Sequence, residues 1–148
     1  MTQDEIRAFF AADPQVHIQI AARGDGSPEV AWGDSFISAR GEDGVPKKMP
    51  FATIVTKDYP GFDEESKLDR GFFRLNLDVG RERFETLFGF APKDLASQKG
   101  RFDFAAIDRL FPHPVYGTQA WVSVINPGRA SREAVEMLMR FALGRAVG

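Results

Sequence analysis

The sequence predicts an α+β fold: a mainly antiparallel five-stranded sheet with helices packed on one face. Three observations carry that expectation. Phe72–Val79 alternates, with Phe73, Leu75, Leu77 and Val79 on one side and Phe72, Arg74, Asn76 and Asp78 on the other. That period of two belongs to a strand with one dry and one wet face, here the central strand. Runs of strand-like sequence precede runs of helix-like sequence, and the links between successive strands resemble hairpins, which favours antiparallel pairing with helices on one face. The chain has 148 residues, 43% of them hydrophobic and fourteen of them Phe, enough for one domain with an aromatic-rich core.

Each element has a local reason. Thr2-Gln-Asp-Glu5 has the spacing of a capping box, and Ile6, Phe9 and Phe10 follow at helical intervals until Asp13-Pro14 ends the helix. Val16, Ile18 and Ile20 alternate with His17 and Gln19 as a first strand, and residues 23–27 form a turn. Val30 to Ser38 predicts a second strand with a bulge at Gly33. A polar loop over 40–48 leads to a third, β-rich strand over 51–56. Residues 57–70, with Pro60, Gly61 and an acidic run, form a long surface loop. After the central strand, Gly80 opens a helix carrying Phe84, Leu87 and Phe88, and Gly89 suits its left-handed end. Residues 91–101 connect to a helix expected over 103–111, with Phe104, Ile107, Leu110 and Phe111 apolar and Pro112 and Pro114 stopping it. Residues 120–125 form the last strand, Asn126-Pro-Gly128 a turn, and Ser131 caps a final helix.

Charge and composition exclude several classes. The net charge is −2, which disfavours nucleic acid as a general partner although it leaves it open locally. Residues 1–70 hold 8 Lys/Arg against 13 Asp/Glu, whereas residues 71–148 hold 11 against 8, and nine of those eleven are Arg. A basic patch in the second half and an ordinary mixed surface both fit these counts. There is no Cys, so disulfides, thiolate metal sites and a Cys nucleophile are out. No apolar run has membrane-spanning length and the start of the chain does not read as a signal peptide, so a cytoplasmic protein without a membrane partner is expected. With only His17 and His113, and no phosphate loop, dinucleotide fingerprint or nucleophile elbow, no metal or cofactor is expected.

Five segments then carry a resemblance. Trp32-Gly-Asp-Ser-Phe36, residues 50–60, Leu68-Asp-Arg70, Phe73-Arg-Leu-Asn76 and His113-Pro-Val-Tyr-Gly117 with Trp121 resemble the uncharacterised bacterial proteins of domain-of-unknown-function family 6194 over nearly the whole chain. More distantly, the closing strand, turn and helix are similar to the small YjbR/MmcQ proteins. Their CyaY-like fold is one sheet with helices, and their double-wing arrangement is proposed to bind DNA. The resemblance implies a fold and little chemistry.

Three groups of residues are candidates for a site. Alternation sends Arg74 and Asn76 outward with His17, Gln19, Trp121 and Ser123, as a platform for a planar or anionic ligand in which Arg74 over Trp121 makes a cation–π contact. The alternatives are a solvated face or one covered by the 57–70 loop. Antiparallel succession brings Trp32, Asp34, Lys57, Asp58, Tyr59, Asp69 and Arg70 to one rim, where they either pair among themselves to hold the loop or line a pocket. His113 and Tyr116 fall at the opposite rim near Gly80, as an acid–base pair or as turn residues bonded to backbone. The leading expectation is a non-enzymatic binding module for a small molecule or protein. The alternatives are a DNA-binding protein of the double-wing type and an enzyme using His113 and Tyr116.

Overall fold

A computed structural model describes residues Met1–Gly148. Ten elements run in order: α1 (Gln3–Ala11), β1 (Val16–Ile20), β2 (Ser35–Ala39), β3 (Ala52–Val55), β4 (Arg74–Asp78), α2 (Gly80–Phe88), α3 (Leu95–Gln98), β5 (Leu110–Pro112), β6 (Trp121–Ile125) and α4 (Arg132–Val147). The fold is α+β, as expected, but the antiparallel sheet has six strands rather than five, in the order β1-β2-β3-β4-β6-β5. β4 lies inside it, between β3 and β6.

The sixth strand replaces the helix expected over 103–111. The apolar residues there have helical spacing but do not share a face: Phe104 and Phe111 are buried, whereas Ile107 is 47% exposed. Asp103 folds back on the Ala105 N–H, Asp108 takes a left-handed φ of 57°, and Leu110, Phe111 and Pro112 then pair with Val124, Ser123 and Val122. Sheet pairing, with Pro112 on an edge strand that tolerates it, wins over periodicity. The second strand also begins later than expected. Glu29–Ala31 is a 3₁₀ turn, and Gly33, at φ 92°, turns the chain ahead of β2 instead of bulging it. The 91–101 connector contains α3 between two 3₁₀ turns.

The dry face is built as the alternation requires. Ile37, Ile54, Leu75, Leu77, Val122 and Val124 pack under Ile6 and Phe10 of α1, Phe84 of α2, and Val135, Leu138 and Met139 of α4. The capping box is formed, since the Glu5 N–H donates to Thr2 Oγ1 and the Thr2 N–H to Glu5 Oε1, each at 3.1 Å. Ser131 stands at the N-cap of α4, but its hydroxyl donates to Asp108 Oδ1 at 2.5 Å instead of accepting from the helix. Asp108 supplies the acceptor, taking the Gly128, Ala130 and Ser131 N–H groups at 2.7–3.0 Å. The Ser131 hydroxyl bond first, and then these N–H bonds, lower its carboxyl to about 2.

The opposite face is divided. Over β4, β6 and β5, residues 57–73 and 102–111 lie across the sheet and bury a second, smaller cluster of Leu68, Phe104, Phe111 and Ile125. Over β1, β2 and β3 it stays open. No helix is long and apolar enough to cross a membrane.

Candidate functional site

The register sets the floor of the open half. Gln19 pairs with Phe36, Phe36 with Thr53, Thr53 with Asn76, and Asn76 with Ser123, so these side chains form one row across five strands. Adjacent members are about 4.8 Å apart in the pairing direction. His17 and Ser38 make a parallel row beside it. Over this floor lies a cavity of about 650 Å³. Its walls are Tyr59 and Phe62 from the 57–70 loop, Lys47, Lys48 and Met49 from the β2–β3 loop, Tyr116 from the turn before β6, and Trp121 at the start of β6. A second concavity of about 490 Å³ lies along β5, between Leu87, Phe88, Phe102 and Leu110. Arg101 at its edge is already bound to the Gln98 side chain and the Phe88 carbonyl. The first cavity has the polar floor that recognition needs.

Arg74 is not where alternation alone puts it. Its side chain leaves β4 on the polar face, yet it is fully buried beneath the 57–70 loop and does not stack on Trp121. Its guanidinium grips Asp63 with two bonds, Nη1–Oδ1 at 3.1 Å and Nη2–Oδ2 at 2.5 Å. Nη1 also donates to Ser66 Oγ at 2.9 Å, and Nε to Asn76 Oδ1 at 2.8 Å. An arginine at the centre of a sheet is stable only when paired and bonded in this way. Burial pushes the Asp63 carboxyl up, but the bonds and charge of Arg74 outweigh it and hold the carboxyl below its usual range. The platform of the sequence reading is therefore covered at its centre and open only beside it.

The rim group does assemble, mostly as structure. Asp34 is fully buried. Its Oδ1 accepts from the Thr56 N–H at 2.9 Å, Thr56 Oγ1 at 2.8 Å and Lys57 Nζ at 3.1 Å, and its Oδ2 accepts from the Tyr59 hydroxyl. Lys57 also donates to the Trp32 carbonyl at 2.5 Å. The Trp32 ring turns away, with its indole N–H on the Ser27 carbonyl and Arg23 over its face. Asp58 accepts from the Leu68 N–H and donates its own N–H to Asp69, closing the loop on itself. Arg70 donates to the Ser66, Lys67 and Ala105 carbonyls and lies over Phe72, joining this loop to the 102–107 segment. Of this group only Tyr59 faces the cavity.

His113 starts from the rim near Gly80, but its ring folds inward and is buried. The Val115 and Tyr116 N–H groups donate to Nδ1 at 3.0 and 2.9 Å, which makes Nδ1 an acceptor. Nε2 lies 3.1 Å from Arg74 Nη2 and 3.9 Å from Asp63 Oδ2. A second proton has no site to enter. Burial and the Arg74 charge outweigh the Asp63 carboxylate and drive the imidazole from 6.5 down to about 3. Between these values the unfolded chain takes up a proton that the native state refuses, so stability falls as pH drops from about 6.5 towards 3. The slope approaches about 1.4 kcal/mol per pH unit. His113→Asn keeps an acceptor for the two N–H groups and removes the titration. Urea unfolding at pH 7 and pH 5 is expected to show a clear loss in the natural chain and a smaller one in the variant. Equal losses would mean that the ring is not held neutral.

The alternation of β4 singled out Asn76, but Phe36, Ser38, Thr53, Lys47, Lys48, Met49 and Phe62 were missed. The strand residues among them could have been found from parity: Phe36 and Ser38 in β2 and Thr53 in β3 alternate with buried Ile37, Ala52 and Ile54. No group of three or more His, Asp or Glu side chains is placed to hold a metal ion. No curated protein and no solved structure matches the chain. Matched along residues 1–148 by the model of a family of unknown function, DUF6194, the chain belongs to that family.

Proposed function

We propose that this chain is a non-enzymatic binding module whose small-molecule ligand lies on the open half of the sheet. The observation that carries this reading is the cavity of about 650 Å³ over the Gln19–Phe36–Thr53–Asn76 row. Its volume suits a small molecule. Its rim also leaves large apolar surface in water, with Met49 75% and Phe62 55% exposed. Exposed apolar groups gathered around a concavity are what a bound ligand would cover. The acid–base alternative draws no support from His113, whose Nδ1 is taken by backbone and whose Nε2 is closed in by Arg74 and Asp63. The DNA-binding alternative of the YjbR-like group rests on the basic second half. Of its eleven Lys and Arg side chains, five (Arg74, Arg81, Lys99, Arg132 and Arg145) already face carboxylates.

The two tryptophans make the reading testable, because Trp121 lines the cavity and Trp32 does not. A thermal-shift screen of small aromatic molecules should yield compounds that raise the melting temperature by mass action. In the amide spectrum those compounds are expected to move the indole N–H resonance of Trp121 and leave that of Trp32 in place. Hits that move neither indole, or that bind Trp121→Ala as well as the natural chain, would refute the assignment.

A further inference from the structure

The direction of the hydrogen bonds beneath the floor specifies what kind of ligand the cavity accepts, granted the site proposed above. Arg74 Nε can only donate, so the Asn76 atom that meets it at 2.8 Å is the carbonyl oxygen. Ser123 Oγ donates to the same oxygen at 2.7 Å. This fixes the orientation of the amide and points its nitrogen at Thr53, where Nδ2 donates to Thr53 Oγ1 at 3.0 Å. Thr53 is thus an acceptor from below, and its own hydroxyl proton has no acceptor in the chain. Thr53 is partly exposed on the cavity floor, so that proton is turned towards the ligand. A run of bonds that begins at the buried Asp63–Arg74 pair therefore ends at the floor as a donor.

The charges of the wall have the same sense. Lys47 and Lys48 stand on the loop leading into β3 and are exposed, and neither has a carboxylate within ion-pair distance. The one carboxylate of the lining, Asp63, is already neutralised by Arg74. Phe36, Tyr116 and Trp121 supply aromatic surface in the same lining. On the far side of Phe36, Gln19 spends both amide hydrogens on Asp25 and Ser27, which leaves its Oε1 as an unpaired acceptor.

We propose that the cavity takes a planar aromatic carboxylate, with a carboxylate oxygen on the Thr53 hydroxyl and its charge met by Lys47 and Lys48. Exposed cations are screened and each contributes modestly, so the preference for an anion over a neutral isostere should be about three- to tenfold at low salt and fade at high salt.

The probes are 2-naphthoate and 2-naphthamide, alike in shape and different in charge, titrated into the full chain while the Trp121 indole resonance is followed. The expected result is tighter binding of the naphthoate by that factor. Lys47→Gln/Lys48→Gln and Thr53→Val should each reduce the preference, and Thr53→Ser should keep it. If Thr53→Val proves too unstable to titrate, the lysine pair and Thr53→Ser decide the matter, because neither disturbs the Asn76 bond. Equal affinity of the two probes, with Trp121 moving in both titrations, would overturn the carboxylate inference and leave the site standing. If neither probe moved Trp121 at millimolar concentration, the inference and the site reading would fall together.

Discussion

Replacing Arg74 with alanine is expected to lower the unfolding free energy by about 3–5 kcal/mol, the cost of breaking a buried ion pair from one side. The magnitude comes from what is left behind. Asp63, only 8% exposed, would keep a carboxylate under the loop with no cation to face, and Asn76 and Ser66 would each lose a donor. The cavity left by the side chain adds to the loss. Urea unfolding of Arg74→Ala, Asp63→Asn and the double variant Arg74→Met/Asp63→Leu separates these contributions. Each single variant should be much less stable than the natural chain, whereas the apolar pair should recover most of the loss, since two buried charges repay little beyond their own desolvation. A single-variant loss below about 1 kcal/mol would show that water reaches the pair and that the polar face is not sealed there.

The second large effect is expected at Asp34. Asp34→Ala takes the acceptor from Thr56 N–H, Thr56 Oγ1, Lys57 Nζ and Tyr59 Oη together. A buried donor left unpaired costs about 1–3 kcal/mol. Lys57 and Tyr59 are partly exposed and can turn to water, so the net loss should be about 2–4 kcal/mol. A spectroscopic signature accompanies it. Burial, then the Asp34 bond and charge, push the Tyr59 hydroxyl well above its ordinary value of 10.0. The chain has two tyrosines, and no such bond holds Tyr116. Alkaline titration of phenolate absorbance should therefore show a tyrosine that ionises well above the ordinary value. Above pH 10 the unfolded chain releases the Tyr59 proton first, so this pair stabilises the fold up to about that pH and loses its contribution as pH rises further. Asp34→Asn should bring the late tyrosine back towards the ordinary range. If no such late tyrosine appears in the natural chain, Tyr59 is not held as described.

These residues show how far a single sequence can be read. Alternation in β4 correctly sent Leu75 and Leu77 into the helix-covered core and Arg74 to the other side. Alternation reports a direction, however, and not what lies over a face. Asp63 and Ser66 reach Arg74 from eleven and eight residues away through a loop with no period of its own. The rim around Asp34 was legible for a simpler reason. Successive antiparallel strands bring the start of β2 beside the end of β3, so Asp34 had to meet residues 56–59. The Gln19–Phe36–Thr53–Asn76 row depends on register, and a shift of one residue turns each strand over. The stretch 103–111 misled because helical spacing of apolar residues is also what two turns and a short edge strand can present. Its own marker was Pro112, which an edge strand admits and a helix interior does not.

The fastening of residues 57–70 bears on the thermodynamics of ligand capture. This segment is tied at Tyr59 to Asp34, at Asp63 and Ser66 to Arg74, and at Arg70 to Ala105, so its side of the cavity is already in place before any guest arrives. Little freedom remains there for a guest to remove, and the entropic penalty of association falls mainly on the guest and on the lysine side chains opposite. Tight recognition by so small a chamber then requires no closing motion of that wall.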